Sequence, residues 1–332
     1  MSGHEEFIDP VGYREERDPD TQYRELLEEI MLRGQEEVTS LKLEEDGETR
    51  PAKARYLDAY TMRFDLTNGL PLITERDLSK VFPKALGEII GFMNGAHTLD
   101  ELESYGMPRH WWEGQITDEM TDLLGIPHGD LGSASYGPNL VAFPDRNGEP
   151  FNQIKALVDQ IRYMPNLRRH RATTWYPPES FRAPGYEQKV VITPCHGSRL
   201  HVRIRDNGEM VFKHFQDSGD VPVGVVNNMI QWASFSVMLA QATGYKAKEY
   251  IHIISDAHIY ENQFEHVEEL LDRAPKPFPK VLVSDQSPID EDVPYDKSPS
   301  PDPRRDIFGF RPHHFKLEDY DAHPYFRVPT PQ

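Results

Sequence analysis

One cysteine stands in 332 residues: Cys195, within "TPCHGSRLHV". Such a thiol has two possible uses. It is a small hydrophobe packed in a strand, or it is a nucleophile. A nucleophile must be partly thiolate, so it needs a positive charge or a donor close by. Pro194 and His196 flank the cysteine, end the apolar run, and can present the thiol at a rim. Arg168, Arg169 and Arg171 lie one strand earlier. A Cys-His hydrolase would take His258 as base, but no local signature of that class is present. Glu88, inside "KALGEIIGFM", is a second chemical oddity. An unpartnered carboxylate in a buried helix is costly.

The elements that must position these groups follow from periodicity and turn signals. Tyr23, Leu26, Leu27 and Ile30 have helical spacing, so a helix starts near Thr21. The alternating stretch 41–74, with turns at "EDGE" and "TNGL", predicts strands. "VFPKALGEIIGFMNGA" predicts a buried helix closed by glycine, and "FNQIKALVDQIRYMPN" a helix stopped at Pro165. "RRHRATTWYPP" and residues 188–220 predict strands, the latter with a hairpin at Asp206-Asn207-Gly208. "NNMIQWASFSVMLAQATGY" predicts the longest apolar helix, ending at Gly244. "AKEYIHIISDAHIY" predicts a strand leading into a loop, and "ENQFEHVEELLDRA" an amphipathic helix. Residues 1–20 read as a polar arm, and the Pro-, Asp- and Ser-rich stretch 284–305 as a loop. Helices and strands interleave without a βαβ rhythm, so the fold class is α+β in a single domain, residues 21–332.

Composition narrows the function classes. Hydrophobic residues are 38% and charged residues 27% of the chain, as in a globular protein. The formal net charge is −19, which argues against binding nucleic-acid backbone. It leaves open a small anionic ligand held by a few local arginines. No apolar run approaches the roughly 20 residues of a membrane span. The acidic N-terminus does not read as a secretory leader. One cysteine rules out an intrachain disulfide framework, so the expected compartment is the cytoplasm.

"PCH", "FQDSGDVPVGVVNN", "SDAHIYENQ", "PKPFPK" and "YDAHP" occur in that order. Upstream come "MRFDLTNGLPLIT", "GEIIGFMNG", "GDLGSASYG" and "LRRHRATTW". Together, from about Met62 to Pro324, they resemble thymidylate synthase and its nucleotide hydroxymethylase relatives. The resemblance implies a mixed sheet packed with helices and forming a homodimer interface. It implies one-carbon transfer from 5,10-methylenetetrahydrofolate to C5 of a pyrimidine nucleoside monophosphate. Cys195 would add to C6, which turns C5 into an enolate-type carbon. Tyr136 would assist proton removal, and Glu88 would organise water and proton transfer. Asn228 would hold the base edge, since an amide pairs with both a ring N–H and a carbonyl. Relatives acting on cytosine often carry aspartate there, so Asn228 favours uracil. Asn228 also reads as a helix N-cap. His258 and Tyr260 would hold the sugar, sharing one face if extended. Gln216, Ser218, Asp220, Arg50, Arg168 and Arg169 would complete the nucleotide site, with the last two reaching the partner's site. Trp111, Trp112, Ile192, Asp220, Gly224 and Arg76 would contact folate.

Three positions depart from the pattern. Asp217 stands where the family has a phosphate-binding arginine, and a carboxylate there repels phosphate and raises a nearby thiol's pKa. Arg199 or Arg171 compensates, or the phosphate end of the substrate differs. Asn227 replaces an aromatic residue that packs on folate. The C-terminal "YFRVPTPQ" replaces a small apolar tail that excludes water. Three outcomes stay open: a methylated product, a hydroxymethylated product on uracil or cytosine, and a catalytically silent nucleotide-binding homologue.

Overall fold

The computed structural model describes residues 6–45, 48–289 and 305–331. Strand β1 (Phe7–Ile8) is followed by helix α1 (Gln22–Arg33), which buries Tyr23, Leu26, Leu27 and Ile30 on one face. Two long strands come next, β2 (Gln35–Glu45) and β3 (Glu48–Asp65), and then α2 (Phe82–Met93). Short elements carry the chain across the site: α3 (Leu99–Ser104), α4 (Asp118–Leu124), α5 (Tyr136–Val141), and the small hairpin β4 (Phe143–Pro144) and β5 (Pro150–Phe151). Helix α6 (Gln153–Tyr163), strand β6 (His170–Ala172) and helical turn α7 (Pro177–Ser180) precede the strand pair β7 (His196–Ile204) and β8 (Glu209–Asp220). The last third holds α8 (Val226–Thr243), β9 (Lys246–Tyr260), α9 (Phe264–Leu271), β10 (Lys280–Ser284) and β11 (Phe315–Glu318).

Six strands form the main sheet in the order β2-β3-β9-β8-β7-β6. The pair β8–β9 is parallel and joined through α8, while the other pairs are antiparallel. The sheet is therefore mixed, and with its packed helices the chain is α+β, as the sequence predicts. A second sheet, β1-β10-β11, ties residues near the N-terminus to the last third of the chain. Residues 6–20, read as a polar arm, lie along this region: Val11 is buried, and Tyr13 Oη accepts the Val281 N–H at 3.1 Å. Residues 290–304 of the Pro-rich stretch lie outside the described residues.

Helix α8 is the central buried element. It packs against α2, and Trp232, Phe235, Met238 and Leu239 have almost no exposed surface. Truncating a buried tryptophan such as Trp232 to alanine costs about 3–5 kcal/mol. Among the described residues, Val221–Thr243 is the one helix long and apolar enough by composition to cross a bilayer. The sequence reading found no such run because Asn227, Asn228 and Gln231 interrupt it. Burial in this fold accounts for its apolar character. The helix begins at Val226, one residue before the predicted start at Asn227, and a π-helical turn at Val221–Val225 feeds into it. Gly244 closes it in the left-handed conformation, φ 76°.

Candidate active site

The Pro194–Cys195 stretch enters β7 where that strand bulges against β8. Gly197 forms the bulge at φ +65°, and a Cβ on it would lie 2.4 Å from the Trp232 ring. Only glycine fits this close approach. The Gly197 N–H donates to His214 Nε2 at 3.0 Å, and the Asp217 N–H donates to the Cys195 carbonyl at 2.6 Å. Both flanks of the cysteine are thereby held to β8.

Cys195 is half-buried. Its sulfur lies 3.6 Å from Tyr136 Oη, and its N–H donates to the same oxygen at 3.0 Å. Either atom can donate in the contact between Tyr136 Oη and sulfur, and a phenol O–H given to sulfur favours the thiolate. Burial acts the other way and raises the thiol pKa, and the Asp217 and Glu88 charges add to that rise. His196 stacks on Tyr136 at 4.3 Å between centroids, and its Nδ1 accepts from Trp232 Nε1 at 3.0 Å. Burial holds its pKa down at about 3, so it is neutral.

Glu88 lies on the α2 face that meets α8. One oxygen accepts from Trp112 Nε1 and the other from Gln231 Nε2. Burial pushes its pKa up to about 7, against these two donors. Gln231 Oε1 accepts from Asn228 Nδ2 at 3.0 Å. Asn228 Oδ1 accepts from Gln216 Nε2 at 3.0 Å, and Gln216 Oε1 meets His252 Nε2 at 2.8 Å. A chain of side-chain amides thus runs from β9 to α2. Asn228 is not the N-cap of α8. Val225 holds that place, and the preceding turn moves Asn228 into the helix, where its amide serves this chain instead.

His258 and Tyr260 share one face of β9, as their alternation predicts, with rings 4.9 Å apart. His258 Nδ1 lies 3.3 Å from Asp256, not on Cys195, so the structure does not form the Cys-His hydrolase pair. Asp220 is a deeply set carboxylate. Gln263 Nε2 reaches both its oxygens, at 3.2 and 3.0 Å, and also the Pro329 carbonyl at 2.9 Å. Burial raises the Asp220 pKa to about 6, against the pull of Gln263 and His258. Trp111, Trp112, Ile192 and Gly224 are half-buried. Arg76 is buried and donates to the Pro222 carbonyl, and its charge pulls the Asp220 pKa down against burial.

The basic residues are less collected. Arg50 pairs with Glu261, next to Tyr260. Arg168 and Arg169 are exposed at the sheet edge, where His201 reaches the Arg168 carbonyl and His170 pairs with Val202. Val202 is six residues along β7 from His196, about 20 Å. Within one chain these arginines do not reach the cysteine. Asp217 is exposed and accepts from Ser198 Oγ at 2.8 Å, while Ser218 Oγ donates to Asp256 at 2.7 Å. Arg199 stacks over Phe215 at 3.7 Å, and Arg171 is exposed on β6.

A family description, thymidylate synthase, matches residues 21–331. The chain belongs to the thymidylate synthase family. At the family level its chemistry is one-carbon transfer to a pyrimidine nucleotide, and the family uses methylenetetrahydrofolate. Three residues that the sequence reading left out join the groups it named: Gln231 links Asn228 to Glu88, His252 anchors Gln216, and Gln263 links Asp220 to the C-terminal segment. A glutamine in an apolar helix, three residues from Asn228, is the one available signal for Gln231. Nothing in the sequence marks the other two.

Proposed function

We propose that this thymidylate synthase family member transfers a one-carbon unit to C5 of a uracil nucleotide through a covalent bond between Cys195 and C6. The observation that carries the reading is the contact of Cys195 with Tyr136 beside the Asn228–Gln231–Glu88 chain. Nucleophile, proton acceptor and base-edge reader form one connected site.

The thiolate, favoured by the phenol proton of Tyr136, adds to C6. The electron pair moves to C5 and the C4 oxygen, and Glu88 relays the accompanying proton through water. C5 attacks the one-carbon electrophile and then loses its hydrogen as a proton, with Tyr136 assisting. The electron pair left at C5 expels the folate nitrogen from the one-carbon unit, giving an exocyclic methylene. Hydride or water adds to that methylene as the sulfur–C6 bond breaks, which returns the thiolate and restores the ring. Asn228 holds the ring edge, and His258 with Tyr260 holds the sugar hydroxyl. Methylenetetrahydrofolate supplies the electrophilic carbon and, for a methyl product, the hydride. The residue types suit it: Asp220 offers a carboxylate acceptor for ring N–H groups, and Trp111, Trp112 and Ile192 offer half-buried apolar surface.

The product depends on access of water. Val328 is buried and Gln263 holds the Pro329 carbonyl, so the C-terminal segment covers the folate side and favours a methyl product. Asn227, half-buried and polar, favours hydroxymethylation as the second reading. A homodimer, with Arg168 and Arg169 serving the partner's site, would add phosphate contacts to those of one chain.

Incubation with methylenetetrahydrofolate and UMP, dUMP, CMP or dCMP, followed by product mass, tests the reading. A uracil nucleotide gaining a methyl or hydroxymethyl group supports it. No product from any of the four contradicts it. Dihydrofolate formation distinguishes methyl from hydroxymethyl.

A further inference from the structure

We infer that Gln231 is a positioning residue that fixes which way the Asn228 amide faces, and so which pyrimidine edge the site accepts. The inference rests on the function proposed above. It begins from two groups that accept hydrogen bonds, one a backbone carbonyl and the other a carboxyl that only accepts in its ionised form. The first is the Ser218 backbone carbonyl, which takes Gln216 Nε2 at 2.9 Å. The same nitrogen gives its second hydrogen to Asn228 Oδ1, while Gln216 Oε1 receives the Nε2–H of His252. The second is the Glu88 carboxylate, which takes Gln231 Nε2 and leaves Gln231 Oε1 to accept from Asn228 Nδ2. Both ends therefore impose the same orientation on Asn228. Turned over, Asn228 would set N–H against N–H at Gln216 and oxygen against oxygen at Gln231. Both contacts are buried, where an unmade bond is costly.

Asn228 keeps one N–H and one lone pair for a ligand. The N–H lies on the Glu88 side and the lone pair on the Gln216 side. With Cys195 at C6 and Tyr136 near C5, C4 follows on the side where Trp112 packs on Tyr136 and bonds Glu88. The C4 substituent must then accept and N3 must donate. Uracil does both. Cytosine, with an amino group at C4 and a bare N3, does neither. Asn228 and Gln231 are three residues apart, so they share one face of α8. Gln231 makes the base reader and the buried carboxylate one unit.

The test compares kcat/KM for uracil and cytosine nucleotides of the same sugar in wild type, Gln231→Met and Gln231→Glu. Gln231→Met keeps volume and removes both bonds. The expected result is a uracil-to-cytosine ratio that falls by about tenfold or more. Gln231→Glu, isosteric, keeps the comparison available if the methionine variant does not fold. Protonated, the carboxyl of Gln231→Glu can still donate to Glu88 and accept from Asn228, so uracil preference should persist at low pH and disappear as pH rises. The groups around that pair are Trp112, Asn228, Tyr136 and Cys195. Tyr136 and Cys195 both have raised pKa values and stay neutral over most of that range. An unchanged ratio in both variants, with an active wild type, overturns the inference alone. A wild type inactive on every nucleotide overturns it together with the proposed function.

Discussion

Tyr136 Oη accepts the Cys195 N–H at 3.0 Å and lies 3.6 Å from its sulfur. One oxygen therefore fixes the backbone at Cys195 and, where its O–H is given to sulfur, favours the thiolate. Tyr136→Phe removes both effects while keeping the ring that stacks on Phe92 and His196. Turnover should fall on the order of 100-fold, and alkylation of Cys195 by iodoacetamide should slow at fixed pH. Unchanged alkylation would place the phenol proton elsewhere.

Asp217 sits on the strand bonded to Cys195, and its charge raises the thiol pKa. Asp217→Asn removes that charge and keeps an acceptor for Ser198. Alkylation should accelerate by about threefold, the effect of one unit charge partly screened by water. Asp217→Arg should go further and tighten nucleotide binding, measured by calorimetry. Weaker binding would mean that the carboxylate has its own part in the site.

Glu88 and Asp220 titrate higher in the fold than in an unfolded chain, near 7 and near 6, because burial penalises the charged form. Their contribution to stability is full below the unfolded value, about 4. It is lost as pH rises through 6 for Asp220 and through 7 for Glu88. Glu88→Gln should flatten the decline of Tm between about pH 4 and 7 relative to wild type. The slope is the readout, since glutamine offers one acceptor to two donors and lowers Tm at every pH. Parallel Tm curves would show that Glu88 does not titrate in that window.

Gln263 holds Asp220 and the Pro329 carbonyl at once. Gln263→Leu should raise the KM for methylenetetrahydrofolate on the order of tenfold and expose the C-terminal segment to proteolysis. If KM rises without faster cleavage, the glutamine orients Asp220 and does not retain the tail.

The α+β class, the long helix ending at Gly244 and the pairing of β7 with β8 were legible because hydrophobic period and turn chemistry are local signals. The candidate residues from Cys195 to Tyr260 were legible through ordered motifs. What joins them was not. The Gln231–Glu88 bond crosses from α8 to α2, and the Gln216–His252 bond from β8 to β9, so neither leaves a mark in local spacing. The N-cap reading of Asn228 failed for a related reason: a π-helical turn moved the start of α8 upstream, and the amide gained tertiary partners. Arg168 and Arg169 were read by resemblance as serving the partner's site, and they lie just ahead of β6, about 20 Å along the sheet from their own chain's Cys195.

The covalent bond between Cys195 and C6 of the base is the central claim, and a fluorinated substrate tests it most directly. Fluorine at C5 cannot leave as a cation, so the reaction should stop with sulfur still bound to C6. Wild-type protein incubated with a 5-fluorouracil nucleotide and methylenetetrahydrofolate should gain the mass of the adduct on the peptide carrying Cys195, and Cys195→Ala should gain none. An unmodified wild type, or an adduct that persists in Cys195→Ala, would contradict the account.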